Sequence, residues 1–361
     1  MQNRLIKWIV IMLGFNGYSN AQDPQFSQFY NVSQFVNPAF AGNTEDYRFT
    51  FHNRYQWAGL DAQFATQLLT FDKSIPEFNS ALGFLIVNDL QGRSNIRSTE
   101  FHLQYAYVLT VSSKISFRYG MQAGLVNRSL DYSALVFPDQ FIDRGFSGAT
   151  QENFSEGQSY FLDLGTGGIL FSDKFWIGAA FHHINQPNTS FLQEDVPLQI
   201  RSSLHVGYRL VLKSFKDQVH VGSFNDAAII PTLHLRRQGN FHQMDLGLYG
   251  IYKNVTTGFW YRGIPFRQLE GRTQNNESMV FMLGTHLKNI SFTYSYDAVI
   301  SGLAGKANGA HELNITYVNR SRYEEGRVKK KRRRKIKDKP EKNVKPLKKV
   351  ICPHVSSSIN K

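Results

Sequence analysis

Three short motifs contain residue types that could support chemistry. The run Leu164–Gly168 is rich in glycine, His182 and His183 are adjacent potential metal ligands, and Cys352 is the only thiol. A phosphate-binding loop opens a helix, whereas this glycine run continues a strand pattern, so we interpret it as a site of close backbone packing. Adjacent residues on a strand point to opposite faces, so we interpret the histidines as structural. The sequence predicts no catalytic residue, no cofactor and no metal site.

Cys352 lies in a strongly basic C-terminal tail. Residues 320–361 carry 17 Lys and Arg against 4 Asp and Glu, which accounts for the whole net charge of +13. A single cysteine excludes an intramolecular disulfide, although a bond to a partner's thiol stays open. Such a basic block is expected to be disordered and to act as an interaction arm or merely as a solvated spacer. The candidate partner-binding residues of the tail are Arg327, Lys329, Lys330, Lys331, Arg332, Arg333, Arg334, Lys335, Cys352 and Pro353.

The first 21 residues have the layout of a secretory signal. Arg4 and Lys7 precede the apolar core Trp8–Leu13, and Ser19–Ala21 provides small residues for cleavage before Gln22. The core is too short to span a bilayer as a helix, and no other apolar run approaches the roughly 20 residues required. Export argues against nucleic acid as a partner of the basic tail. It favours acidic lipid headgroups, cell-wall polymer or an acidic protein.

Alternating side chains dominate the rest of the chain. In Tyr47–Trp57, residues such as Phe49 and Phe51 occupy one phase, and residues such as Arg48 and Arg54 occupy the other. Successive residues of a strand point to opposite faces. An Arg facing the bilayer midplane costs about 2–4 kcal/mol. We therefore predict that the aromatic phase faces lipid and the polar phase faces a lumen.

The pattern recurs along the chain and predicts an all-β, transmembrane antiparallel β-barrel of about 14 strands. The clear segments are Tyr47–Trp57, Ile96–Leu109, Ile115–Val126, Leu204–Leu212, Ile290–Asp297 and His311–Tyr317. The less regular ones are Gln63–Phe71, Ser80–Asn88, Tyr160–Phe171, Phe175–Ile184, Ala228–Arg236, Phe241–Tyr252, Val255–Tyr261 and Met279–Leu287. Val111–Lys114 and Ser172–Lys174 predict tight turns at one end, whereas Ser129–Gln158 and Gln186–Val196 predict loops at the other. A soluble lipocalin-like barrel or sandwich would need apolar residues inside and fewer strands.

Several motifs resemble the PorP/SprF family of outer-membrane proteins from the type IX secretion and gliding systems of Bacteroidota. The resemblance rests on Gln22–Tyr30, Val36–Gly42, Asn53–Trp57, Lys174–Pro187, Gly258–Gly263, Ser295–Asp297, Gly309–Leu313 and Cys352–Pro353. The residue at Val355 is usually aromatic in the family, and the tail before Cys352 is long and very basic here.

The resemblance implies a non-enzymatic outer-membrane barrel that supports secretion or surface anchoring of cargo proteins such as adhesins. It implies periplasmic type IX components, secreted surface proteins and outer-membrane lipid as partners, with peptidoglycan as a further candidate. It also implies that both termini are periplasmic, as an even strand number suggests. A passive porin-like channel for small solutes is the alternative function, and a membrane enzyme is a third.

We expect four parts: a signal peptide (1–21), an N-terminal periplasmic, plug-like segment (22–44), the barrel (45–319) and a basic periplasmic tail (320–361). Asn37, Pro38 and Gly42 belong to the second part. Asn-Pro and Ala-Gly are ordinary turn chemistry at the entry to a strand. Alternatively, this segment plugs the periplasmic mouth or docks a partner there, which makes these three residues candidate partner-binding residues.

Overall fold

A computed structural model describes most of the chain between residues 23 and 319. The described ranges are 23–44, 46–60, 63–135, 138–142, 145–146, 157–191, 195–214, 226–268, 274–287, 289–302, 304–305 and 307–319. The signal peptide, the basic tail and the candidate residues of the tail lie outside the described residues.

Fourteen antiparallel strands form one closed barrel, which confirms the predicted fold and strand number. The strands are β1 (Tyr47–Gln56), β2 (Gln63–Ile75), β3 (Ser80–Gly92), β4 (Ile96–Thr110), β5 (Ser116–Ser129), β6 (Gln158–Phe171), β7 (Phe175–His182), β8 (Arg201–Tyr208, continued by Leu210–Ser214), β9 (Asp226–Gln238), β10 (Phe241–Tyr252), β11 (Val255–Gln268), β12 (Gln274–Leu287), β13 (Ile290–Val299) and β14 (Ala310–Val318).

In the part of the chain that the structure describes, helical structure is confined to short turns. A four-residue helix, α1, covers Ser33–Val36, and 3₁₀ turns cover Pro38–Phe40, Pro76–Phe78, Tyr132–Ala134 and Pro138–Gln140. A two-residue hairpin pairs Phe141–Ile142 with Gly145–Phe146 in the connection between β5 and β6. Among the described residues, no helix is long and apolar enough to cross a bilayer.

The barrel closes because the first strand pairs with the last. Phe51 of β1 lies opposite Leu69 of β2 on one side and Ile315 of β14 on the other. Strand β8 pairs with both β7 and β9, and it is interrupted at Arg209. Pro231 of β9 lies beside this interruption, and proline has no N–H to donate to the ladder. The sheet therefore has a local break at this seam but no free edge.

The two phases of the strands face as predicted. In β1, the exposed fraction is 42% for Phe49 and 40% for Phe51, against 2% for Arg48 and 3% for Arg54. Exposed Leu, Phe, Tyr and Ile side chains cover the outside of most strands. The outer surface is therefore apolar and the lumen is polar, which is the arrangement that a lipid environment requires.

The two rims of the barrel differ. We call one rim the turn end: it carries residues 76–79, 111–115, 172–174 and 253–254, and β1 begins and β14 ends there. The opposite rim, the loop end, carries the longer connections of residues 130–157 and 183–200. The turns predicted at Val111–Lys114 and Ser172–Lys174 lie at the turn end, and the loops predicted at Ser129–Gln158 and Gln186–Val196 leave strands at the loop end, where the short turns 93–95 and 239–240 also lie.

Candidate functional site: a segment that fills the lumen

Residues 23–44, which we call the plug, lie inside the barrel. Asp23 contacts His183 and Gln238 at the loop end, and Gly42 contacts Asp72 near the turn end. Every plug residue from position 26 to 44 is buried. The plug therefore crosses the lumen from the loop end to the turn end before the chain enters β1.

Glu312 of β14 binds the plug at Ser27 and Gln28. Its carboxylate accepts hydrogen bonds from the backbone N–H groups of Ser27, at 2.7 Å, and Gln28, at 2.9 Å. The guanidinium of Arg54 on β1 forms ion pairs with Glu312 and, at 3.0 Å, with Asp297 of β13. The Arg54 guanidinium also donates to Ser27 Oγ at 2.9 Å. Three wall strands thus converge on two plug residues, and hydrogen bonds to buried charged groups are the strong ones.

A second arginine extends this charged network. Arg262 of β11 pairs with Asp245 of β10 at 2.7 Å and with Asp297 at 3.3 Å. It also donates to the carbonyl oxygen of Phe26 at 3.4 Å. Both arginines are almost fully buried, so their charges are compensated by carboxylates rather than by water.

Aromatic packing fixes the next part of the plug. The ring of Tyr30 stacks on Tyr249, with centroids 5.1 Å apart, and on Trp260, with centroids 5.0 Å apart. Phe29 lies against His234, with centroids 4.9 Å apart. Aromatic pairs at these separations add about 0.5–1.5 kcal/mol beyond the area that they bury. The plug is therefore held by packing as well as by charge.

Small residues let the plug approach the wall closely at Asn37 and Pro38. The side chain of Asn37 donates to the carbonyl oxygen of Ala179 at 3.0 Å and caps the following 3₁₀ turn through Ala39 N–H. A Cβ atom on Gly167 would lie 2.2 Å from Asn37 Oδ1, and one on Gly120 would lie 2.5 Å from the carbonyl carbon of Pro38. Close backbone packing was the interpretation of the glycine-rich run, and at Gly167 the structure confirms it.

Gly42 binds the wall near the turn end. Its N–H donates to Asp72 Oδ2 at 2.7 Å, and the other oxygen of Asp72 pairs with Arg48 at 2.8 Å. Gly42 has φ +66°, and a Cβ there would lie 2.0 Å from Ala81 Cβ, so only glycine fits. Asn37, Pro38 and Gly42 thus all face the barrel wall in this conformation, and a role in binding a partner stays a prediction.

Three charged residues fasten the plug at the loop end. His183 donates to Asp163 at 2.7 Å and to Asp23 at 2.6 Å, and Arg201 pairs with Asp23 at 2.9 Å. Burial disfavours the imidazolium form, but the charge of Asp23 and the hydrogen bonds to both carboxylates outweigh it and raise the pKa of His183 to about 10. His183 is therefore charged at neutral pH.

The prediction that His182 and His183 point to opposite faces is wrong. β7 ends at His182, and His183 adopts φ +57°, which turns its side chain back towards the lumen. Both rings are buried, and their centroids are 6.3 Å apart. The alternation rule failed because it applies only within a strand.

Little space remains between the plug and the wall. Three cavities beside the plug have volumes of about 10, 20 and 40 Å³. A single water needs roughly 10–15 Å³ of such volume, so each cavity holds at most a few waters. Each of these three cavities is therefore too small to hold a solute larger than water.

The family model for the type IX secretion system membrane protein PorP/SprF matches residues 18–317. The chain belongs to the PorP/SprF family. The family and the fold are those of an outer-membrane secretion-system barrel and not of an enzyme class. No curated protein matches the sequence.

Solved structures with similar folds are distant from this PorP/SprF protein. A Pseudomonas aeruginosa FadL homologue has 11% identity and a TM-score of 0.40, with 80% of this chain and 94% of that chain covered. The KdgM porin has 8% identity and a TM-score of 0.34, with 75% of this chain and 99% of that chain covered. Each TM-score lies below 0.5, so neither structure bears on the function of this chain.

The motifs that carry the family resemblance meet at the plug. Asn53–Trp57 contains Arg54, Ser295–Asp297 contains Asp297, and Gly309–Leu313 contains Glu312. The strand pattern predicted Arg54 in the lumen but gave no sign of its two carboxylate partners. Charged residues in the inward phase of separate strands were the available signal, because buried charges need partners.

Proposed function

We propose that this PorP/SprF protein supports the secretion or surface anchoring of cargo proteins such as adhesins, and that it links the outer membrane to periplasmic components of the type IX system. The observation that carries the proposal is the family match over residues 18–317. The filled lumen favours a role in which partners bind the rims or the tail. It argues against the porin-like alternative, because a passive channel needs an open passage.

The proposal includes an orientation for the barrel. Bacterial outer-membrane barrels usually have short periplasmic turns and longer extracellular loops. By that rule the turn end faces the periplasm. Val318, the last residue of β14, lies at this end, so the basic tail would begin in the periplasm and could reach peptidoglycan or a periplasmic ring component.

Truncation of the tail tests the proposal. We expect a chain that stops after Tyr323 to fold as a heat-modifiable barrel but to co-purify with several-fold less of its periplasmic partners, because a net positive charge of 11 is removed. Partner recovery is measured by quantitative mass spectrometry after affinity purification from cross-linked cells.

Two matched variants separate the effect of the tail's charge on partner recovery from the effect of its thiol. Replacing Arg327, Lys329–Lys331, Arg332–Arg334 and Lys335 by Gln keeps the length of the tail and removes its charge, whereas Cys352→Ser removes only the thiol. In the intact protein, Cys352 should react with a membrane-impermeant maleimide only after the outer membrane is permeabilised. Equal partner recovery from the truncated and full-length chains would rule out the proposed role of the tail. Labelling of Cys352 on intact cells would contradict the proposed orientation, because it would place the tail outside the cell.

A further inference from the structure

All lysines of the described residues lie at one rim of the barrel. Lys73 lies near the end of β2, Lys114 in the turn between β4 and β5, Lys174 in the turn between β6 and β7, Lys213 near the end of β8, and Lys253 in the turn between β10 and β11. Each belongs to the turn end. We call these five residues the lysine rim.

The side chains of the lysine rim point into solvent or lipid headgroup space. All five are exposed, and among the described residues Lys73, Lys114 and Lys174 form no ion pair. The exposed or half-buried acidic side chains described at this rim are Asp46, Glu77 and Asp173, Asp226 begins β9 there, and Asp46 accepts a hydrogen bond from Asn319. Positive charge therefore exceeds negative charge at the described surface of the turn end.

Apolar and aromatic residues of the outer surface adjoin the lysine rim. Phe175 follows Lys174, and Leu212 precedes Lys213. The ammonium group of Lys253 lies 5.5 Å from the centre of the Tyr252 ring. Aromatic residues and lysines with long apolar stems are the residue types that anchor a protein at the boundary between hydrocarbon and headgroups. The lysine rim thus lies at the edge of the lipid-facing belt.

The positions of these lysines around the barrel indicate which kind of ligand they fit. They occur from β2 to β11, with one or two strands between successive lysines and five strands between Lys253 and Lys73, so they face several directions around the circumference. A protein partner would contact one sector of the wall, whereas a bilayer surrounds the barrel on all sides. At the loop end, the described cationic side chains are arginines and histidines and include Arg97, Arg128 and Arg237.

We propose that the lysine rim binds the phosphate groups of anionic phospholipids in the leaflet around the turn end. Each ammonium group reaches from the edge of the apolar belt to a headgroup phosphate. The attraction of basic side chains to an anionic leaflet supplies the affinity and falls off within a Debye length. The inference goes beyond the proposed function.

Lipid enrichment around the purified full-length barrel tests the proposal. The protein is reconstituted in vesicles of phosphatidylcholine and phosphatidylglycerol, extracted into copolymer nanodiscs at low salt, and its co-extracted lipids are quantified. We expect phosphatidylglycerol to be enriched roughly twofold over the bulk vesicle for the wild type. The variant K73Q/K114Q/K174Q/K213Q/K253Q should lose most of this enrichment, and the corresponding five-Arg variant should keep it.

A matched control addresses the basic tail. Lys329, Lys330, Lys331, Lys335 and Lys337 are replaced by Gln, which removes the same number of lysines from the tail alone, and this variant should keep most of the enrichment. If the five-Gln rim variant does not fold, K114Q/K174Q takes its place, because both residues lie in exposed turns, and a partial loss is expected. Equal enrichment for the rim variant and the wild type, or a loss that only the tail variant produces, would overturn the proposal.

Discussion

Deletion of residues 23–44 is expected to convert the silent barrel into a conducting channel. An eight-stranded barrel is just filled by its own side chains, whereas barrels of 16–18 strands enclose a water-filled channel. A barrel of 14 strands lies between these sizes, and here the plug occupies the extra space. In planar bilayers, the deletion variant should give stable single-channel steps, while the full-length protein should give almost none.

Truncation after Tyr323 is the control for this experiment, because it removes a segment from the other terminus and leaves the plug in place. That variant should stay silent. A deletion variant that folds, as judged by heat modifiability, yet conducts no better than the full-length protein would mean that the wall alone closes the lumen.

Glu312→Ala is expected to lower the free energy of unfolding by about 3–5 kcal/mol, the usual cost of removing one partner from a buried ion pair. The substitution leaves Asp297 as the one carboxylate paired with the Arg54 guanidinium among the described residues, and it removes the acceptor for the N–H groups of Ser27 and Gln28. The midpoint of urea unfolding, followed by gel mobility in detergent, should fall accordingly. The same variant should show intermittent conductance, because Ser27 and Gln28 of the plug lose their main attachment to the wall.

Glu77→Ala is the matched control, since Glu77 is an exposed carboxylate in the turn between β2 and β3. The double variant R54M/E312L tests the cause, because apolar replacement of both partners should recover part of the lost stability. If Glu312→Ala lowered the free energy of unfolding no more than Glu77→Ala does, the charged network would not be what holds the plug.

The sequence predicted the barrel well because strand periodicity is a local property. Phe49 and Arg48 differ by one position, and that single step decides whether a side chain meets lipid or lumen. All fourteen predicted segments correspond to strands, and most differences lie at the strand ends. The two turns and two loops named from the sequence also lie at opposite ends, because antiparallel strands alternate in direction.

The path of the plug could not be predicted in the same way. The plug has no strand period, and its contacts are remote in sequence: Ser27 and Glu312 are separated by 285 positions. The sequence predicted that both termini lie at one end. The first described residue, Asp23, lies at the loop end, and the last, Asn319, lies at the turn end, while both termini lie outside the described residues, so their placement stays a prediction. An even strand number fixes only where the strands begin and end, and it leaves the preceding segment unconstrained.

A disulfide between the plug and the wall tests the central claim most directly. The Cβ atom of Ala41 lies 3.3 Å from the Cβ position that Gly83 would have, close to the 3.5–4.5 Å of a disulfide. In a Cys352→Ser background, A41C/G83C should oxidise to a cross-linked barrel whose two thiols resist maleimide. The control A41C/G250C should stay uncrosslinked, since Gly250 alternates with buried Tyr249 and Ile251 and so faces outwards. Independent labelling of both thiols in folded A41C/G83C would contradict a plug inside the lumen.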